Sequence, residues 1–100
     1  MGRVWRGRRM MQPLFHIGEV VATRGVFAHL EHHRIAAFSY LRRHACGDWG
    51  MVPPEDAAAN RFAVEHGARI LSSYDIAGKR VWIITEADRG MTTLLFPDEY

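Results

Sequence analysis

The run Val81-Trp82-Ile83-Ile84-Thr85 is apolar on both of its alternating faces and lies between two turn signals, Ala77-Gly78-Lys79 before it and Ala87-Asp88-Arg89-Gly90 after it. A strand of that kind belongs in the middle of a sheet, with cover on at least one side. Its neighbours fit the same scheme. Arg69–Ile76 alternates Ile70, Ser72 and Tyr74 on one face with Leu71 and Ser73 on the other. Met91–Phe96 forms a third strand, which Pro97 ends. Short turns join strands antiparallel, so the last third of the chain reads as a three-stranded antiparallel β-meander with Arg80–Glu86 at its centre.

The preceding residues supply helices. Thr23 offers a hydroxyl N-cap to a short helix over Gly25–Leu30, whose Val26, Phe27 and Leu30 share a side. Ile35, Phe38 and Leu41 recur at helical spacing in a second helix ending near His44, with Arg42, Arg43 and His44 in its last turn, where positive charge suits the helix dipole. Gly47-Asp48-Trp49-Gly50 is the sharpest break, a tight turn that tucks Trp49 against the core. A third helix starts at Pro54, carries Glu55 and Asp56 in its first turn and stops at Gly67; Ala57, Ala58, Ala59, Phe62, Ala63 and Val64 make its packing face. The expected fold is α+β: three short helices packed on one face of the meander, with Trp82, Ile84, Leu71, Leu95, Phe62 and Phe38 in the core.

One hundred residues allow one domain and one modest core. The formal charge of +2 misleads, because Arg3, Arg6, Arg8 and Arg9 precede Met10, and the rest of the chain holds nine basic and eleven acidic residues. Residues 1–10 read as a flexible basic leader and residues 11–100 as the domain. Basic character confined to a leader removes most of the composition argument for nucleic-acid binding, which remains an alternative through that leader alone. The single Cys46 excludes an intramolecular disulfide and fits a cytoplasmic location. No apolar run reaches the ~20 residues a membrane helix needs, so no membrane partner is expected.

Chemistry-bearing residues gather at the turn after the central strand. Glu86 and Asp88 are acid–base candidates, Arg89 could hold a phosphate or carboxylate, and Thr85 and Thr92 flank the turn as cross-strand neighbours. The competing reading is structural, since Asp and Gly favour turns for backbone reasons. His29 and His33 have the i, i+4 spacing of a shared metal, but no carboxylate follows at a metal-motif spacing, so no metal and no cofactor is expected. His44 and His66 fall near helix ends, where capping is the simpler role. The candidate binding residues are Asp48, Trp49, Thr85, Glu86, Asp88, Arg89 and Thr92.

Gly47-Asp48-Trp49-Gly50, Arg69-Ile70-Leu71-Ser72-Ser73-Tyr74, Val81 to Arg89 and the closing Thr92-Thr93-Leu94-Leu95-Phe96-Pro97-Asp98-Glu99-Tyr100 carry a resemblance. From about Val20 to Tyr100 the chain resembles small bacterial "plasmid-related" proteins of mobile elements; Gly90-Met91 departs from their pattern. The resemblance implies a mobile-element setting and supplies no catalytic residues. It favours a non-enzymatic accessory protein that binds a protein partner, in one version a host-defence inhibitor of the anti-CRISPR kind. The alternative is a metal-independent ribonuclease using His44, Glu86 and Arg89, an analogy of layout with barnase-like toxins.

Overall fold

The computed structural model describes residues 12–100; the Arg-rich leader and its nucleic-acid reading lie outside the described residues. The elements run β1 (Glu19–Ala22), α1 (Arg24–His32), α2 (Ala37–Ala45), α3 (Pro54–His66), β2 (Ile70–Ile76), β3 (Lys79–Thr85) and β4 (Met91–Leu95), followed by a 3-10 turn over Pro97–Glu99. The class is α+β, but the sheet has four strands in the order β1-β4-β3-β2. The meander forms as expected, with Trp82 opposite Leu95 and Thr85 opposite Thr92. The addition is β1, which pairs parallel to β4 from Glu19 opposite Met91 to Ala22 opposite Leu94. Four residues joined to the far end of the chain leave no local turn or long alternation by which to announce themselves.

The register sorts the sheet's side chains. Ile70, Ser72, Tyr74 and Ile76 of β2, Val81, Ile83 and Thr85 of β3, and Thr92 and Leu94 of β4 share one face and are buried. Against it lie Val26 and Leu30 of α1 and Leu41 of α2, forming the main core. Full burial of each such aliphatic side chain is worth about 1.5–3 kcal/mol. Thr23 caps α1 as its periodicity requires, accepting from the Val26 amide at 3.3 Å, and its hydroxyl donates to Glu99 Oε1 at 2.7 Å. Helix α3 starts with Pro54 in its first turn and ends at Gly67 in the left-handed region, φ 73°. It flanks β2, packing Ala63 with Ile70 and Trp49 in a second, smaller cluster.

Burial differs from the sequence expectation at four positions, and none of the six expected core residues joins the main core. Leu71, Trp82, Ile84 and Leu95 all lie on the opposite face of the sheet, where Ile84 and Leu95 are buried, Leu71 and Trp82 are half-buried, and Tyr100 meets Trp82 edge-on at 5.8 Å. Phe38 and Phe62 are exposed, at 69% and 60%. On α3 the inward stripe is Ala57, Asn60, Ala63 and Val64, which turns Ala58, Ala59 and Phe62 outward, and on α1 Phe27 faces out beside the buried Val26.

The outer edge of β2 is closed by polar groups. The Asn60 side chain donates to the Leu71 carbonyl at 2.8 Å and accepts from the Leu71 amide at 3.1 Å. Two residues on, the Ser73 amide donates to the Trp49 carbonyl at 3.0 Å and the Ser73 carbonyl accepts from the Met51 amide at 2.6 Å. Both devices deny the strand edge to other chains. Asn60→Ala unpairs two backbone groups and is expected to cost about 2–3 kcal/mol in urea unfolding; a change below about 0.5 kcal/mol would show that water replaces both bonds.

Candidate functional site

The turn that gathers Glu86, Asp88 and Arg89 with Thr85 and Thr92 in sequence separates them in space. Thr85 and Thr92 alternate inward and are fully buried. Glu86 faces outward and pairs with Arg69 at 3.2 Å, and Arg69 also donates to the Tyr100 hydroxyl at 2.6 Å. Asp88 is exposed and accepts from the Gly90 amide at 2.9 Å, which is the turn-forming role of Asp. Arg89 turns under α3. Its guanidinium donates to the carbonyls of Ala63 at 2.8 Å and Ala68 at 2.7 Å, and to those of Glu86 and Ala87 in its own turn. It therefore ties the turn to the α3 C-terminus, where the Ala63 carbonyl also accepts from the Gly67 and Ala68 amides.

The Gly47–Gly50 turn is likewise closed on itself. Asp48 takes Arg43 Nε on one oxygen at 2.7 Å and the Gly50 amide on the other at 3.2 Å, and its carbonyl accepts from the Tyr74 hydroxyl at 2.6 Å. The hydrogen bond from Arg43 holds the Asp48 carboxyl below its ordinary range. Arg43 lies over the Tyr74 ring, 4.7 Å from its centroid, and burial pushes the Tyr74 hydroxyl up to about 12. Trp49 is buried, as its place in the turn leads one to expect.

His44 is neither a cap nor a helix-dipole charge. It is fully buried in the last turn of α2, edge-on to Phe15 at 5.3 Å and to Trp49 at 6.1 Å. Nδ1 lies 2.6 Å from Ser72 Oγ and Nε2 2.8 Å from Thr85 Oγ1; Thr85 Oγ1 lies 2.6 Å from Thr92 Oγ1, which donates to the Ile17 carbonyl at 2.6 Å. The hydrogens can be counted. Thr92 spends its own on Ile17, so Thr85 must donate to Thr92, and His44 must donate to Thr85 through Nε2–H. Nδ1 of the neutral ring then accepts from Ser72. The chain runs one way, from Ser72 through His44, Thr85 and Thr92 to the backbone of residue 17. Burial, with the Arg89 charge nearby, lowers the His44 pKa from 6.5 to about 4.

This leaves His44, Glu86 and Arg89 with three separate tasks. Ser72 is the member of the buried chain missing from the sequence candidates; its signal is a hydroxyl alternating with Ile70 and Tyr74 on an inward face. His29, nominated only for its spacing to His33, bonds the Ile76 carbonyl through Nε2 at 2.8 Å, and no group of three or more metal-binding side chains forms among the described residues. His66 bonds the Phe62 carbonyl at 3.0 Å, one turn back along α3, and not the carbonyls at the helix end that the expected capping role would serve.

A sizeable concavity lies elsewhere. An open groove of about 730 Å³ runs between the segment Gln12–Ile17 and α2, lined by Leu14, Phe15, Ile17, Phe38, Leu41 and Ala45 among others. Leu14 and Phe38 stand 54% and 69% exposed at its sides. The two walls are tied together. The Leu14 amide donates to the Ala45 carbonyl at 2.7 Å, and the hydroxyl–imidazole chain links His44 of α2 to Ile17. Phe38 keeps its helical spacing to Leu41, yet no other described segment comes to cover it, and that is how an expected core residue becomes groove lining. No described helix is long and apolar enough to cross a membrane. Comparison with protein-family profiles, with curated proteins and with solved structures finds no match.

Proposed function

We propose that this protein acts by binding a protein partner through the groove between Gln12–Ile17 and α2, with no chemistry of its own. The observation that carries the reading is the contrast between polar and apolar groups. Asp48, Glu86, Asp88 and Arg89 are committed to bonds within the chain, whereas Leu14 and Phe38 expose large apolar surface beside a concavity of about 730 Å³. Exposed aromatic and aliphatic anchors around a depression are the usual makings of a protein-binding site. The mobile-element resemblance narrows the partner to a host or element-encoded protein, and a host-defence complex inhibited in the manner of an anti-CRISPR protein is the specific version. The ribonuclease alternative gains nothing from the geometry, because a buried imidazole with both nitrogens engaged offers no general base to a phosphodiester.

The test is photocrosslinking in host cells with benzoylphenylalanine placed at Phe38 and, as a control, at Phe62 on the far helix. A discrete adduct with a host or element protein is expected at position 38 alone, reduced about tenfold by Leu14→Ser. Equal adducts at both positions would sink the groove assignment. RNA cleavage that disappears in Glu86→Ala would overturn the whole reading.

A further inference from the structure

The groove's charge distribution says what its occupant carries. Among the described side chains lining it, the one permanent charge is Arg42, and none is a carboxylate. Arg42 and Arg43 are consecutive, but only Arg43 is engaged, with Asp48; the two ion pairs among the described residues are Arg43–Asp48 and Arg69–Glu86. Arg42 is exposed at the groove with its guanidinium unpaired by any of them. This cation is set in a chain whose residues beyond Met10 hold eleven acidic against nine basic side chains. A positive point on an apolar concavity, on an otherwise slightly acidic body, complements an apolar segment that bears a negative charge. Arg is suited to that task, since its planar fork pairs with a carboxylate through two parallel bonds.

We infer that the groove receives a short apolar segment of a partner protein that carries an acidic side chain, seated between Leu14 and Phe38 with its carboxylate on Arg42. This inference rests on the protein-binding reading and adds the chemistry of the occupant. Apolar contact along Leu14, Phe38 and Leu41 supplies the affinity, and the Arg42 pair sets orientation and excludes basic sequences.

Fluorescence anisotropy tests it, with the full-length protein titrated into short labelled peptides built from Leu, Phe and Ser. One set bears Glu and a matched set bears Lys. The Glu set is expected to bind about tenfold more tightly, with a preference that shrinks as salt rises. Arg42→Glu should invert the preference, and Phe38→Ser should abolish binding of both sets. Both side chains are exposed, so these variants keep the fold, and a circular dichroism spectrum and melting point matching the parent verify it. Equal binding of the two sets, or a preference unmoved by Arg42→Glu, overturns the inference. Failure of both sets to bind, while the position-38 adduct with another protein persists in cells, rejects the acidic occupant and leaves the protein-binding reading standing. Adducts at position 38 with a second copy of this chain, or with residues 1–11 of the same chain, overturn the inference by naming a different occupant.

Discussion

Urea unfolding of the wild-type protein is expected to lose about 3 kcal/mol between pH 7 and pH 4, and His44→Leu should remove most of that dependence. In the unfolded chain His44 takes up its proton near 6.5, whereas in the folded chain it does so at about 4. Between those values the unfolded state binds more protons, so stability rises with pH across the window. The contribution is complete above 6.5 and disappears as pH falls through 4, and a displacement of that size corresponds to about 3 kcal/mol. The hydrogen count gives a structural reason. A second ring proton would meet the Ser72 hydroxyl, which would have to reverse and find another acceptor in a closed interior. At pH 7 the leucine variant should itself be about 2–4 kcal/mol less stable, because the Ser72 and Thr85 hydroxyls each lose a buried partner. The two proteins should therefore converge near pH 4. The His33 pKa is also lowered, by partial desolvation and by its neighbours His29 and His32, but that contribution is common to both proteins. Parallel pH profiles would show that His44 does not titrate with unfolding.

The second large effect lies at Gly50. Its φ of 73° is in the left-handed region, and an added methyl group would run into the Ser73 carbonyl oxygen and come within 2.7 Å of the Tyr74 ring. That carbonyl is the acceptor of the Met51 bond closing the β2 edge, so it cannot retreat without opening the edge. Gly50→Ala is expected to cost about 4 kcal/mol, combining left-handed strain with overpacking against backbone. Gly67 shares the same φ of 73° but has open space where the methyl would sit. Gly67→Ala should cost about 1 kcal/mol, the strain alone. Measuring both by chemical denaturation separates conformation from contact; similar losses would show that contact at Gly50 relaxes freely.

Local chemistry made much of the architecture readable in advance. Two apolar faces placed β3 in the interior of the sheet, the turn residues defined the meander, and Pro54 and Gly67 bounded α3. Thr85 and Thr92 were correctly placed as cross-strand neighbours. Their direction was the missing step: alternation from Val81 and Ile83 puts Thr85 inward, so it joins the core and leaves the corner. Helical periodicity showed that Phe38 shares a side with Leu41, but periodicity cannot show whether another segment covers that side. The His44 chain joins α2, three strands and the segment before β1. No spacing along the sequence encodes such a junction, because it exists only once those elements have met.

Strand β1 gives the groove a particular thermodynamic character. Its pairing joins Glu19–Ala22 to Met91–Leu95, so the wall built from Gln12–Ile17 is anchored by residues from the opposite end of the domain. Closing so long a loop costs entropy that no neighbouring turn offsets. A molecule that recognises only the closed arrangement adds its binding free energy to that closure, in proportion to the logarithm of its concentration over its dissociation constant. On the proposed reading, occupancy of the groove and the β1–β4 pairing would form a single equilibrium. The partner would act as a clasp, and its departure would loosen the same strand that shapes its seat.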